Sequence, residues 1–99
     1  FYWYSKAAEQ GYTNAQYIVA FMYYNGEGTL KDLNKAFYWY SKAAEQGVAN
    51  AQFDMAIIYY NGEGRLKDLK KSAYWTKKAF ENGFEPAKGF WEQKELWRY

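Results

Sequence analysis

The chain repeats itself with a period of 36 residues, and this period constrains its fold more than any other sequence feature. The segment FYWYSKAAEQG at residues 1–11 recurs unchanged at residues 37–47, and 26 of 36 positions are identical between the first two copies. A third, looser copy keeps Tyr74, Trp75, Lys78, Ala79 and Gly83. Units of this length cannot bury their apolar faces alone and therefore stack on their neighbours. The period predicts a helical solenoid.

Each repeat reads as two helices separated by glycine-rich turns, here termed helix A and helix B. Helix A is predicted to run from an N-cap at Asn14 to Asn25, because an Asn side chain accepts from the free amides of a first turn and Gly26 can end the helix. The second helix A is predicted to begin at Asn50. A last helix A is predicted near Glu85, with Pro86 at its first position, where the missing N–H costs nothing.

Helix B is predicted to begin after an Asp N-cap, at Asp32 in one repeat and Asp68 in the next, and to end near Gln46 before Gly47. Residues 1–10 form a first helix B without its start, so the expected order is B-A-B-A-B-A. Since the chain opens inside a helix B and ends in an atypical helix A, the sequence is expected to be the C-terminal end of a longer array.

Helical phase, at 100° per residue, assigns a buried face to each helix. Helix A is expected to bury Ala15, Val19, Ala20 and Tyr23, and small Ala20 and Ala56 let the paired helix approach. Helix B is expected to bury Leu33, Ala36, Trp39, Tyr40, Ala43 and Ala44. By the same phase, the three equivalent tryptophans Trp3, Trp39 and Trp75 are all predicted to be buried.

The pattern A-x-x-x-[V/M]-A-x-x-Y-x-x-G-x-G, followed by D-x-x-K-A-x-x-W-Y-x-K-A-A-x-Q-G, resembles the Sel1-like repeat, a relative of the tetratricopeptide repeat. The resemblance covers residues 1–83 and implies an all-α fold, a right-handed α-α superhelix. It implies one domain over residues 1–99, with units at 1–12 (partial), 13–48, 49–84 and 85–99 (partial, or a capping helix). It also implies a concave groove, lined by the A helices, that serves as a scaffold for protein partners.

Helical phase independently places a set of aromatic and amide residues on the face of helix A that points away from helix B. The predicted partner-binding residues are Asn14, Tyr17, Phe21, Tyr24 and Asn25 in the first repeat and Asn50, Phe53, Asp54, Ile57, Tyr60 and Asn61 in the second. Such rings offer apolar area at little entropic cost, and Asn can pair with a peptide backbone. Neighbouring A helices also pack on each other, so part of this set is expected in the core. Asp54 is expected to be solvated, with recognition of a basic ligand group as the alternative.

A second candidate surface is a basic stripe on helix B. Residues 65–78 contain six basic residues and only one acidic residue, Asp68. The basic residues are Arg65, Lys67, Lys70, Lys71, Lys77 and Lys78. The stripe is interpreted as a solvated face, with an acidic partner, an anionic membrane surface or nucleic acid as the alternatives.

Composition excludes several classes of function. The chain has no cysteine and no histidine, which removes thiolate metal ligands, disulfides and the commonest general base. We therefore expect no catalytic residues, no metal and no cofactor, and Glu27 and Glu63 are expected to be solvated turn residues. A net charge of +2 gives no reason to expect nucleic acid, and no apolar run is long enough to span a membrane. The lack of cysteine is compatible with cytoplasm or periplasm alike.

The predicted function is a scaffold that binds a peptide or partner protein in the groove of the A helices. The alternative is binding of carbohydrate or cell-wall fragments, because 12 Tyr and 5 Trp offer rings that could stack on sugars.

Overall fold

Six α-helices and one short 3₁₀ helix follow each other along the chain, and no strand is present. The computed structural model describes all residues from Phe1 to Tyr99. The α-helices are α1 (Tyr2–Glu9), α2 (Thr13–Asn25), α3 (Leu33–Glu45), α4 (Ala49–Asn61), α5 (Leu69–Glu81) and α6 (Pro86–Gln93), and the 3₁₀ helix spans Leu96–Arg98. Helices α2, α4 and α6 are the A helices, and α1, α3 and α5 are the B helices. The predicted all-α class and helix order are confirmed.

Each helix packs mainly on the helix before it and the helix after it in the chain. The most extensive contacts join α2 to α3 and α4 to α5, which are the A and B helices of one repeat. This nearest-neighbour packing gives a layer of A helices and a layer of B helices in an elongated body of 41 × 25 × 16 Å. No helix combines the length and the hydropathy that crossing a membrane would require.

The predicted aspartate caps are confirmed at both complete B helices. The Asp32 carboxylate accepts from the Lys35 backbone N–H at 3.0 Å, and Asp68 accepts from the Lys71 N–H at the same distance. Each bond satisfies one of the free amides of a first helical turn. At the other end of helix A, Gly26 ends α2 with a left-handed φ of +72°.

The predicted asparagine caps at Asn14 and Asn50 are wrong. The N-caps of α2 and α4 are Tyr12 and Val48, two residues earlier than predicted, and neither makes a side-chain capping bond. The reason lies in the preceding helix, because the Val48 N–H donates to the Ala43 carbonyl at 3.2 Å and closes α3. The closing bond leaves Val48 extended, so the next helix starts directly after it without a polar cap.

The core consists largely of alanines at the contact between the two layers. Ala20, Ala36, Ala43 and Ala56 are completely buried, so neighbouring helix axes approach closely there. Leu33 and Trp39 are only half-buried, although the predicted arc contains them. Trp3 is 79% exposed, so its predicted burial is wrong. Trp39 packs on a cluster from α1 and α2, whereas no helix lies on the corresponding side of α1.

Two buried glutamines tie each repeat to the next, a feature that sequence analysis missed. The Gln16 amide donates to the Ala8 carbonyl at 3.2 Å, and Gln52 donates to the Ala44 carbonyl at 3.0 Å. Each of these carbonyls also accepts from a backbone N–H at 3.0 Å, that of Gly11 or Gly47, so the glutamine amide is its second donor. The Gln46 side chain in turn donates to Gln16 at 3.0 Å, which links successive B helices through the amide.

Candidate functional site

The predicted partner-binding residues separate into an exposed group and a half-buried group. The exposed residues are Asn14, Phe21, Asn25, Asn50 and Asn61, and the half-buried ones are Tyr17, Tyr24, Phe53, Asp54, Ile57 and Tyr60. Most of the half-buried side chains lie where one A helix meets the next. The A helices therefore use much of the predicted binding set to pack on each other.

The contact between α2 and α4 is polar, and we term it the polar seam; it comprises Tyr17, Tyr24, Tyr40, Asp54 and Glu63. The ring centroid of Tyr40 lies 5.8 Å from that of Tyr17 and 6.3 Å from that of Tyr24. Tyr40 comes from α3 and is almost completely buried, so it forms the floor between the two A helices. The seam thus brings three phenols and two carboxylates together.

Glu63, in the loop after α4, is held inside this seam. The Tyr24 hydroxyl donates to Glu63 Oε2, while Glu63 Oε1 is buried and has no hydrogen-bond partner. The expectation that Glu63 is a solvated turn residue is therefore wrong. Glu27 holds the same position one repeat earlier and is exposed, as expected. The difference arises because the Tyr24 hydroxyl reaches Glu63 from the preceding A helix.

Asp54 is desolvated, which contradicts its predicted solvation. Burial raises the pKa of its carboxyl from 3.8 to about 6, and interaction with the Tyr17 hydroxyl opposes part of that rise. None of the groups that shift this pKa is a cation. The seam is therefore a partly buried acidic site without a basic partner in the chain.

The phenols of the polar seam respond to the same environment. Burial, followed by the charge of Asp54, raises the pKa of Tyr17 to about 12. Burial and the hydrogen bond to Glu63 raise the pKa of Tyr24 to about 12. Burial raises the pKa of Tyr40 still further. All three phenols stay protonated at neutral pH and remain available as hydrogen-bond donors.

The contact between α4 and α6 is apolar, and we term it the aromatic seam; it comprises Phe53, Tyr60, Phe84 and Phe90. The Phe53 ring lies 4.9 Å from Phe84 and 5.3 Å from Phe90, and Tyr60 lies 5.5 Å from Phe90. Phe90 stands one period after Asp54, so a ring occupies the position of the buried carboxylate. This seam contains no carboxylate.

The outer surface of the A helices, which we term the A-face, comprises five exposed residues and the half-buried Ile57; the exposed residues are Asn14, Phe21, Asn25, Asn50 and Asn61. Phe21 is 43% exposed and Ile57, its equivalent, is half-buried. The asparagines occur as two equivalent pairs separated by one period. The Asn25 amide donates to the Phe21 carbonyl at 3.0 Å, which orients that side chain.

The five lysines of the predicted basic stripe are exposed, but three of them lie over tyrosine rings. The Nζ atoms of Lys67, Lys71 and Lys78 lie 5.3, 5.4 and 5.7 Å from the ring centroids of Tyr60, Tyr59 and Tyr74. Lys70 and Lys77 line open clefts instead. Elsewhere, no group of three or more His, Cys, Asp or Glu side chains is placed to hold a metal ion.

The sequence model of the Sel1 repeat matches residues 1–12, 13–48 and 49–84 of the chain. Among solved structures, a protective antigen present in uropathogenic Escherichia coli, which displays an SLR fold, is 42% identical over 82% of this chain, with a TM-score of 0.79. A Sel1 repeat protein from Oxalobacter formigenes is 40% identical over 86% of this chain, with a TM-score of 0.83. The chain spans 17% of the first protein and 34% of the second. No curated protein matches it significantly.

Proposed function

The chain belongs to the Sel1 repeat family, whose members are generally non-catalytic protein-interaction scaffolds, and we propose that it binds a peptide or helix of a partner protein on its A-face. The observation that carries this proposal is the pair of equivalent asparagine sets around Phe21 and Ile57. On this proposal the chain has no catalytic activity of its own.

The chemistry of the A-face fits recognition of a polypeptide. Phe21 presents a ring with few rotamers to lose, and the half-buried Ile57 extends the apolar strip by one repeat. The asparagines Asn14, Asn50 and Asn61 each offer an amide donor and acceptor to a peptide backbone. Their repetition after 36 residues matches a ligand that contacts successive A helices.

The seams support the A-face from behind. These seams contain four of the predicted ligand contacts, whose rings set the spacing of the A helices instead of touching a ligand directly: Tyr17, Tyr24, Phe53 and Tyr60. Because Asp54 and Glu63 lie in the polar seam without a cation, a basic side chain of the ligand would be attracted toward α2 and α4. The proposed partner segment is therefore apolar with at least one basic residue.

A displayed library of random peptides, selected against the chain, tests this function. Peptides enriched by the chain should lose at least about tenfold in affinity toward a Phe21→Glu variant, because the charge replaces the apolar anchor. The matched control is Tyr38→Glu on the B layer, where Tyr38 is 52% exposed, and it should bind like the unmodified chain. Equal binding to both variants, with helicity unchanged by circular dichroism, would count against the A-face.

One observation favours the carbohydrate alternative as a second candidate. Two crevices of about 480 and 330 Å³ recur at equivalent positions, each with a Tyr-Trp pair, a Glu and a Lys in its lining. The half-buried rings Trp39 and Trp75 contribute to them, whereas the exposed Trp3 and Trp97 lie in the first and last helical elements. A panel of glycan fragments should quench tryptophan fluorescence if these crevices bind sugars. A Trp39→Phe plus Trp75→Phe variant should abolish that response.

A further inference from the structure

The polar seam contains buried polar atoms that no other side chain satisfies. Tyr40 is only 2% exposed, and its hydroxyl makes no hydrogen bond. Glu63 Oε1 is buried and has no hydrogen-bond partner, although Oε2 of the same carboxylate accepts from Tyr24. Buried polar groups of folded proteins are almost always hydrogen-bonded, so two unpaired groups at one place point to a missing donor. A ligand that carries N–H groups would supply it.

The unpaired groups surround a negative charge that no cation balances. The charges of Asp54 and Glu63 both act on the Tyr40 hydroxyl, which therefore points into the seam. Arg65 is the basic residue nearest to Glu63 in the sequence, but its guanidinium carbon lies 3.2 Å from the Phe37 ring centroid. Arg65 is also absent from the groups that shift the pKa of Asp54. The seam therefore offers two carboxylates to a cation from outside the chain.

The seam opens toward the A-face. Asp54 lies four residues after Asn50 and three before Ile57 on α4, so helical spacing puts these side chains on one side of the helix. Asp54 is half-buried and is not enclosed on that side. The walls of the seam come from α2, α3 and α4, and further helices pack on both sides of these three. The opening therefore does not depend on where the sequence begins or ends.

The unpaired groups match the hydrogen-bonding capacity of a primary ammonium. Such a group carries three N–H donors on one small cation and has no acceptor. The carboxylates of Asp54 and Glu63 and the hydroxyl oxygen of Tyr40 can each accept one of the three. A quaternary ammonium has no N–H and would leave these oxygens unpaired, and a guanidinium is a wider planar fork suited to a bidentate contact with one carboxylate.

We propose that the polar seam binds the ammonium group of a lysine in the partner protein. This inference rests on the proposed function, since the lysine belongs to the segment whose apolar side chains lie on the A-face. Its methylene stem packs on the rings of Tyr17 and Tyr24 while its ammonium lies beside Asp54. The site occurs once in the chain, because the aromatic seam has Phe90 at the position of Asp54 and Tyr99 at that of Glu63.

The probe for the seam alone is n-butylammonium chloride, which carries the head group and stem of lysine without a peptide. Carbon-13 NMR follows the carboxyl carbons of Asp54 and Glu63 as the probe is added at constant ionic strength. Both signals should change saturably, and the pKa of Asp54 should fall from about 6 toward 3.8, because a bound cation favours the carboxylate. Tetramethylammonium is the matched control and should cause neither change. No response to butylammonium, an equal response to both cations, or a stronger response to Ca²⁺ would overturn the proposal.

Two variants assign the response to the seam. Asp54→Asn keeps the shape of the side chain and removes its charge, so the Glu63 signal should no longer respond to butylammonium. Tyr40→Phe removes the unpaired hydroxyl and should weaken binding of butylammonium by about tenfold. The matched controls are Glu27→Gln, at an exposed carboxyl, and Tyr38→Phe, at an exposed tyrosine of the same helix as Tyr40. Variants of the seam that bind the probe like their controls would contradict the proposed site.

A peptide experiment separates this inference from the function on which it rests. Peptides selected on the chain should contain a lysine, and norleucine in its place should weaken binding to the unmodified chain by about tenfold or more but should not weaken binding to Asp54→Asn. Peptides that need Phe21 but tolerate norleucine would overturn the inference and leave the A-face standing. A saturable butylammonium response without any selected peptide would support the ammonium site while the A-face fails.

Discussion

Between α2 and α4 the repeat places Tyr17, Tyr24 and Asp54, whereas one period later the same positions hold Phe53, Tyr60 and Phe90. The first set surrounds a desolvated carboxyl with phenols, and the second stacks rings edge to face. Burying a carboxylate without a cation lowers the free energy of unfolding, whereas burying aromatic rings raises it. The two seams thus join equivalent helices with opposite energetic character.

The difference shows which positions of the repeat are free to vary. Positions that pack helix A on helix B, such as Ala20 and Ala56, are the same in both copies and completely buried. Positions that pack one A helix on the next change from Tyr17 to Phe53 and from Asp54 to Phe90. The two copies of the repeat therefore differ at the seams between A helices, which lie next to the proposed A-face.

Truncating the Phe90 side chain in the aromatic seam should change the free energy of unfolding more than any other substitution proposed here. Phe90→Ala removes the ring that contacts Phe53 and Tyr60, and we expect it to lower the free energy of unfolding by about 3 kcal/mol. Phe90→Leu keeps apolar volume and should cost about 1 kcal/mol. Urea denaturation followed by circular dichroism measures both. A cost for Phe90→Ala no larger than that of Phe21→Ala, at an exposed ring, would mean that the aromatic seam does not hold α6.

The polar seam should make stability depend on pH through Asp54. Below pH 3.8 its carboxyl is protonated in both the folded and the unfolded chain. As pH rises toward 6, the unfolded chain releases this proton first, so the free energy of unfolding falls, and the loss is complete above the folded pKa of about 6. The pKa difference corresponds to about 3 kcal/mol, which partial exposure reduces to about 2 kcal/mol.

Asp54→Asn tests this pH dependence, because an amide has the same shape and does not titrate. The variant should lack the loss of stability between pH 4 and 7 and should be more stable than the unmodified chain at pH 7. The control is Glu27→Gln, at an exposed carboxyl, which should keep the slope. Parallel curves for Asp54→Asn and the unmodified chain would show that Asp54 is solvated.

Removing one tyrosine hydroxyl from each seam should change the free energy of unfolding by different amounts in the two seams, and both changes should be smaller than those above. Tyr24→Phe takes away the donor to Glu63 Oε2 and leaves that carboxylate without a partner, at an expected cost of about 1 kcal/mol. Tyr60→Phe, the same change one period later, should cost less than about 0.5 kcal/mol, because the residue one period after Glu63 is Tyr99, whose side chain carries no carboxylate. Thermal unfolding of the two variants at one pH makes the comparison. Equal losses would indicate that the bond to Glu63 contributes nothing net.

Helix order and class could be predicted from the sequence because the period and the Asp32 and Asp68 caps are local signals. The predicted asparagine caps are wrong because the prediction rested only on the residue type of Asn14 and Asn50. The bond that ends the preceding helix, from Val48 to Ala43, decides where the next one begins. The predicted burial of Trp3 is wrong for a related reason, because the burial of a side chain depends on which helices lie beside it.

The seams were predicted least well. Helical phase places Tyr17, Tyr24 and Asp54 on one side of helix A, but it describes one helix at a time and does not predict the contacts of Tyr17 and Tyr24 with Tyr40 of helix B. Whether such a residue meets solvent, a ligand or the next A helix depends on the register between helices. The one signal in the sequence is the change from Ile18 to Asp54 in an otherwise apolar segment, and taken alone such a change predicts a solvated residue.

The smallest expected effect concerns the cations beside each seam. Lys67 and Lys94 place their Nζ atoms 5.3 and 5.4 Å from the Tyr60 ring centroid, whereas no lysine lies over Tyr24 in this way. Lys94→Met keeps the apolar stem and removes the charge, so we expect a loss of about 0.5 kcal/mol. A double-mutant cycle with Tyr60→Leu isolates the pair, and Lys70→Met, at an exposed lysine, is the control. Because the attraction is electrostatic, the coupling should shrink in high salt, and a coupling that salt leaves unchanged would assign the contact to packing of the lysine stem alone.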